Sequence, residues 1–445
     1  MLIKNKLCYF IIVHINICMV SVVSKYCYWN AGCSYKYFSS KTPYGSIRGD
    51  IRDSVLKIIG CEPISIWSIY RHGQQHPGLD FGNKIKEAIT LKDDIVSSFD
   101  KGKSTLCAQD VENLRNWVRD NTMFEKAHLL TDEGYAELYG IGKRLKQTYP
   151  ELLTKLEEGS YLVRPALGHW IENSAKGFVE GLVNDTENII TIDDPNKEYD
   201  FLAPYSYCKK YQVEIKNNPL TFNEVEIYKK TMEFIKTKER IQERIGLESL
   251  SNEVIISLYD MCRYSWSGIT VKPTPWCALF SSEDLIVLEY IGDLKHYYRN
   301  GYGSSINLRF GAAPLQDLYK QFVLAKREKG RKLFAYFTHA TMMDMIYVAL
   351  GFFKDDFILN GSQRVEDRKW RTSTFSGFAS NIIAVLNRCD KENPTNEENV
   401  IIFYLNEKRL NVCPQGWCTW NEFESKFKEF LNTTIDFCEG FTDPY

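Results

Sequence analysis

The chain has no surplus of charge of either sign: 55 lysines and arginines stand against 57 aspartates and glutamates in 445 residues, a formal net charge of -2. Without a broad basic field it does not suit general nucleic-acid binding, and any site for an anion must be local. After residue 24 no apolar run approaches the roughly 20 residues of a spanning helix, so no stable membrane span is expected beyond the N-terminal segment. The cysteines include no CxxC or CxxH pair with tetrahedral zinc spacing, and no metal or other cofactor is expected. Repeats with a period of about 20 to 50 residues, low-complexity tracts and long linkers are also missing, which excludes solenoid, fibrous and largely disordered classes. A hydrophobic share of 44% and a charged share of 25% fit a globular protein with a full core.

What is present begins with a leader. Residues 1–24 carry Lys4 and Lys6, then an apolar stretch interrupted by His14 and Asn16, then small residues ending at Ser24. This is the layout of a secretory signal peptide, with retention as an anchoring helix the alternative. The expected location is the secretory pathway, with the protein secreted to the extracellular space or else membrane-associated or held in the ER lumen. Thirteen cysteines suit that route. Thirteen minus Cys8 and Cys18 of the leader leaves eleven, so most should pair and one should stay free or join another chain. Cys262 with Cys277 and Cys413 with Cys418 are local disulfide candidates. Asn184, Asn360 and Asn432 head N-x-S/T sequons and are glycosylation candidates.

β-Forming apolar runs at Ile64–Tyr70 and Leu333–Thr338, with further candidates at Asn381–Leu386 and Val400–Leu405, read as buried parallel strands. Helical periodicity surrounds them at Thr131–Thr148, Leu315–Arg327 and Met342–Phe353. The expectation is an α/β fold, a mostly parallel sheet flanked by helices. The charged helical stretch at 185–298 reads as an inserted, mainly helical cap, leaving 25–184 and 299–445 as the α/β core. Its Lys-rich segment, Lys229–Arg244, is either a solvated face or one wall of a polyanion cavity.

Arg71-His72 follows the first apolar run directly, and His339-Ala340-Thr341 follows the second and opens a helix. In α/β sheets ligands bind beyond the carboxyl ends of strands, where helix N-termini offer backbone amides. A histidine can attack as a nitrogen nucleophile, and an arginine presents a fork that matches phosphate oxygens. The pattern suits phosphoryl transfer with His72 and His339 converging, although spacing alone fits two ordinary satisfied histidines equally well.

YRHGQQHPG resembles the RHGxRxP signature of the histidine acid phosphatases. FTHATMMDMIYVALGFF resembles the HAE segment of one branch, the multiple inositol polyphosphate phosphatases of histidine phosphatase branch 2. Lys41-Thr42-Pro43-Tyr44, LTDEGYAELYGIGKRL, NSAKGFVEGL, CRYSWSGITVKPTPWC, GYGSSINLRFGAAPLQDL and NVCPQGWC resemble further segments of that branch in the same order, from about Cys33 to the C-terminus. The resemblance implies a histidine phosphatase-like fold and a phosphomonoesterase acting on inositol polyphosphates, a phosphorylated small-molecule partner. It implies His72 as nucleophile, phosphate contacts from Arg71, His339 and the position of Gln75, and an acid beside His339 that protonates the leaving alcohol.

At three of those positions the chain departs from the pattern. Gln75 replaces the second signature arginine, Trp170 replaces an arginine four residues before the marker Ser174, and Thr341 replaces the glutamate of HAE. Losing one preorganised donor lowers a rate by about 10²- to 10³-fold. Losing a general acid lowers it by about 10²- to 10⁴-fold. Impaired activity is therefore expected. His76, His169 and Lys176 lie near the lost charges in sequence, and Asp344, three residues past Thr341, is the candidate substitute acid. Two readings stand: a secreted phosphatase of reduced activity, and a pseudophosphatase that binds a phosphorylated ligand or a protein partner without turnover.

Overall fold

Seven strands form one sheet: β1 (Cys61–Arg71), β2 (Tyr161–Pro165), β3 (Leu333–Thr338), β4 (Asn381–Cys389), β5 (Asn399–Leu405), β6 (Lys408–Leu410) and β7 (Cys418–Thr419). The computed structural model describes residues 37–183, 189–197, 199–266, 274–390 and 397–438. The strand order is β2-β3-β1-β4-β5-β6, with β7 pairing β5. β2, β3 and β1 run parallel, whereas β4, β5, β6 and β7 all pair antiparallel. The fold is α/β with a mixed sheet, so reading the runs at 381–386 and 400–405 as parallel strands needs correction. A strand buried on both faces shows the same apolar run in either direction. The connection 390–398 is shorter than the dozen or more residues a parallel crossover needs, so β5 must reverse against β4.

Eight helices matter here: α1 (Asp132–Thr148), α2 (His169–Val183), α3 (Met232–Ile245), α4 (Asn252–Tyr264), α5 (Ser282–Asn300), α6 (Ile306–Lys326), α7 (Ala340–Ala349) and α8 (Trp420–Lys428). α1 starts at the expected cap, where the Thr131 hydroxyl accepts from Gly134 N. α6 begins at Ile306, not Leu315. Gly311 and Pro314 both lie buried within the helix. At Gly311 the helix lies so close to α7 that a Cβ would meet Met345 O at 1.9 Å. α7 runs over Ala340–Ala349, starting directly after His339, which is its N-cap.

The sheet buries its aromatic residues against this helical layer. Tyr70 stacks on Phe337 of the neighbouring strand at 5.2 Å and packs on Phe178 of α2 at 4.8 Å, all three buried. Each such side chain contributes about 1.5–3 kcal/mol of burial free energy, which anchors the strand ends that carry the site. The described part of 185–298 contributes helices and no strand to the sheet.

Four disulfides are formed among the described residues. Cys262–Cys277 and Cys413–Cys418 are the local pairs expected from spacing; Cys61–Cys389 and Cys208–Cys438 join residues 328 and 230 apart. Cys107 is also disulfide-bonded. Asn360 and Asn432 are exposed. The leader 1–24 and Asn184 lie outside the described residues. Among those described, no helix is long and apolar enough to cross a membrane, and no side-chain group is arranged to hold a metal.

Candidate active site

Parallel pairing of β1 with β3 sets Arg71 opposite Thr338, so the next residue on each chain, His72 and His339, leaves the same sheet edge. The backbone amide of His72 donates to Thr338 O at 3.0 Å, and the two imidazole centroids lie 6.3 Å apart. His72 Nδ1 lies 2.8 Å from Gly73 O. A carbonyl only accepts, so Nδ1 carries the proton and Nε2 carries the free lone pair of the neutral ring. Burial, then the Arg71 charge, holds the His72 pKa well below the ordinary value and keeps that lone pair free.

The loop is held by close backbone approach. A Cβ on Gly73 would lie 2.1 Å from Gly134 O at the start of α1, and a Cβ on Gly134 would lie 2.1 Å from Gln74 O. Gly73 N donates to the Ser174 hydroxyl, which donates to Trp170 O, tying the loop to α2. Glu137 of α1 accepts from Gln74 N and from Tyr44 N, joining the 41–44 segment to the same loop. Burial raises that carboxyl to about 7.

Arg71 is buried beneath this loop. Its Nη1 donates to Ser40 O and Ser376 O, its guanidinium lies 4.5 Å from the Phe378 ring centroid, and its Nε has no partner. Burial lowers its pKa to about 10, partly offset by Asp344. Further cations converge from other elements. Lys41 is held well below the usual lysine range by burial and by Arg71 and Arg263. Lys295 of α5 falls to about 8 through burial and Arg299, and Lys216 is lowered by burial and Arg299. His339 is lowered to about 3 by burial, then by His128, Arg71, Lys216 and Arg299. Cations that depress one another in this way form a field suited to a multiply charged anion.

The positions singled out by sequence fall as follows. Gln75 is buried; its amide Nε2 donates to His128 Nδ1 at 3.2 Å, while its Oε1 has no partner. Trp170 stands edge-on to both histidines, 6.4 Å from His72 and 5.9 Å from His339, and lies against His128 at 4.8 Å. Its Nε1 is buried and unpartnered. Thr341 is buried in the first turn of α7. Asp344 is not a free acid: Oδ1 accepts from the Ser376 hydroxyl, and Oδ2 accepts from His296 Nδ1 at 2.6 Å and from Asn300. His169 and Lys176 are exposed. His76 lines a separate cavity of about 620 Å³ with Gln74, Trp117, Asp120, Glu133 and Tyr264, and neither catalytic-type histidine borders it. Carboxylates in that wall oppose an anion.

Sequence reasoning did not single out His128, Lys216, Lys295, His296 or Arg299, and assigned Lys41 no role. The one local signal is the spacing of Lys295 and Arg299, four apart on one helix with His296 between them.

With this geometry in place the chain can be compared with known proteins. The profile of the Histidine phosphatase superfamily (branch 2) matches residues 65–406. The chain belongs to that family. Among branch 2 relatives, the multiple inositol polyphosphate phosphatase 1 of Drosophila melanogaster is 29% identical over 409 residues, covering 88% of this chain and 85% of that protein. The phytase from D. castellii superposes with a TM-score of 0.71 at 18% identity, covering 91% of this chain and 87% of the other. The Bifidobacterium longum multiple inositol polyphosphate phosphatase, solved with inositol hexasulfate, superposes with a TM-score of 0.67 at 12% identity over 91% and 99%. The two structural matches share the branch 2 fold.

Proposed function

We propose that the protein hydrolyses phosphomonoesters of inositol polyphosphates through a phosphohistidine at His72. The observation that carries this reading is His72 Nδ1 held on Gly73 O, which leaves the nucleophilic Nε2 free beside the charges of Arg71 and Lys41, while Arg71, Lys216 and Arg299 act on the neighbouring His339. Phosphate oxygens would meet the unpartnered Arg71 Nε, His339 and the amide N–H groups at the start of α7. Nε2 attacks phosphorus, the ester P–O bond breaks, and water then releases phosphate from His72. Relatives named for inositol polyphosphates, matched over most of the chain, support the substrate class.

The proposed activity is reduced. Gln75 donates without charge, Trp170 sets an indole edge-on against both histidines, and a threonine hydroxyl at 341 is too weak an acid to protonate an alkoxide. With Arg71 the one signature arginine left, anion affinity is expected to be weak, and Lys41, Lys216 and Arg299 are the cations left to support it. A second reading, binding without turnover, is favoured by Thr341 and by Trp170 standing against both histidines. Phosphate release from inositol hexakisphosphate by wild type and His72→Ala separates the two. Loss of release in the variant supports the phosphatase, and equal background rates support the pseudophosphatase. Secretion is proposed on the leader's layout and the disulfide bonds.

A further inference from the structure

The lost HAE glutamate leaves a phosphatase without an evident proton source for its leaving group. Three carboxylates near the site are engaged. Glu137 accepts from two backbone amides, Asp260 pairs with Arg263, and Asp344 accepts from Ser376, His296 and Asn300. The last of these points to an alternative. Asp344 is wholly buried in α7, and its Oδ2 receives His296 Nδ1 from α5 at 2.6 Å. The ring's other nitrogen, Nε2, has no protein partner, and the side chain keeps 16% of its surface open. A buried carboxylate that orients an imidazole and stabilises its charged form, with Nε2 left free, is the arrangement of an oriented acid-base histidine.

One bonded link ties this ring to the phosphate site, and two shared charges accompany it. Ser376 bonds Asp344 through its hydroxyl and Arg71 through its carbonyl, so the dyad is one residue from the buried guanidinium. Lys41 acts electrostatically on both His72 and His296. Arg299 acts on both His339 and His296. His296 thus shares one charged neighbour with each of the two histidines.

We propose that His296 is the proton donor to the leaving oxygen, with Asp344 as its positioning residue, so that a pair from α5 and α7 replaces the missing glutamate at 341. This rests on the phosphatase reading of the His72 site. As His72 Nε2 forms its bond to phosphorus and the ester P–O bond breaks, the alkoxide takes the proton from His296 Nε2–H. In the second half the attacking water returns a proton to His296 as its oxygen bonds to phosphorus and the N–P bond breaks. In the free protein, burial together with Lys41 and Arg299 lowers the His296 pKa while Asp344 raises it. A bound polyphosphate offsets Lys41 and Arg299 and so favours the charged donor.

The test uses leaving groups of different need. An inositol phosphate leaves as a poor alkoxide and requires a proton, whereas p-nitrophenyl phosphate leaves as a stable phenolate and does not. Both substrates are assayed with the full chain, wild type, His296→Asn and His296→Asn/Thr341→Glu; the Asn amide can still donate to Asp344 and keeps that contact. The expected result is that His296→Asn lowers the ratio of kcat for inositol hexakisphosphate to kcat for p-nitrophenyl phosphate by about 10²- to 10⁴-fold, and that Thr341→Glu in that background restores much of it. An unchanged ratio, whether both rates fall together or neither falls, overturns the donor role and leaves the His72 reading standing. If wild type releases phosphate from neither substrate, the phosphatase reading fails and this inference with it.

Discussion

His72 can act only as a neutral imidazole, and the residues around it serve that state. Gly73 O accepts a hydrogen bond from Nδ1–H, burial removes the solvation an imidazolium needs, and Arg71 repels the charge. Gln75 is where residue chemistry is least complete: it is buried beside His128 with Oε1 unpartnered. Gln75→Arg should add a charged contact to bound phosphate worth about 1.5–3 kcal/mol, tightening inorganic phosphate about 10- to 100-fold by calorimetry. It should also lower the melting temperature of the free protein, because another cation enters a cleft already crowded with them. Unchanged phosphate affinity in a folded variant would show that position 75 does not face the anion.

At the scale of elements, the site is made by β1, β3, α1, α5 and α7 meeting. A tight joint is the loop after β1 against the start of α1, where no Cβ fits at Gly73. Gly73→Ala should destabilise the protein by about 1–3 kcal/mol or more and abolish phosphate release, since loop and helix must part. Wild-type melting and activity in that variant would remove the steric account. His72 and His339 are legible in the sequence because each directly follows an apolar strand run. The direction of β4 and β5 is not, because burial on both faces erases the period that would reveal it. Lys295, His296 and Arg299 are not legible either: charged helical sequence reads as a solvated face, and only the packing of α5 against α7 brings His296 to Asp344. Likewise Cys61 and Cys389 meet only because β1 pairs β4 in the register that sets them opposite each other.

For the whole molecule, the gathered cations and neutral histidines make stability depend on pH and on anions. His339 has a pKa of about 3 in the fold against 6.5 ordinarily, and His72, His76, His128 and His296 are lowered too. Between the folded and unfolded values the unfolded chain binds more protons, so the stability these groups contribute is present above about 6.5 and is lost as pH falls toward 3. A bound polyanion favours the protonated rings and opposes that loss. The rise in melting temperature produced by saturating inositol hexakisphosphate should therefore grow from about pH 7 to about pH 5. A rise that is constant or shrinks over this range would contradict the cationic-cleft account.

The central claim is that His72 carries the phosphoryl group, and trapping that intermediate tests it most directly. Wild type and His72→Ala are mixed with inositol hexakisphosphate, quenched in alkali to preserve a phosphoramidate, digested and mapped by mass spectrometry. The account expects a phosphoryl adduct on the peptide bearing His72 in wild type and none in the variant. Wild type that binds inositol hexakisphosphate, forms no adduct and releases no phosphate would contradict it and leave a binding protein on a phosphatase fold.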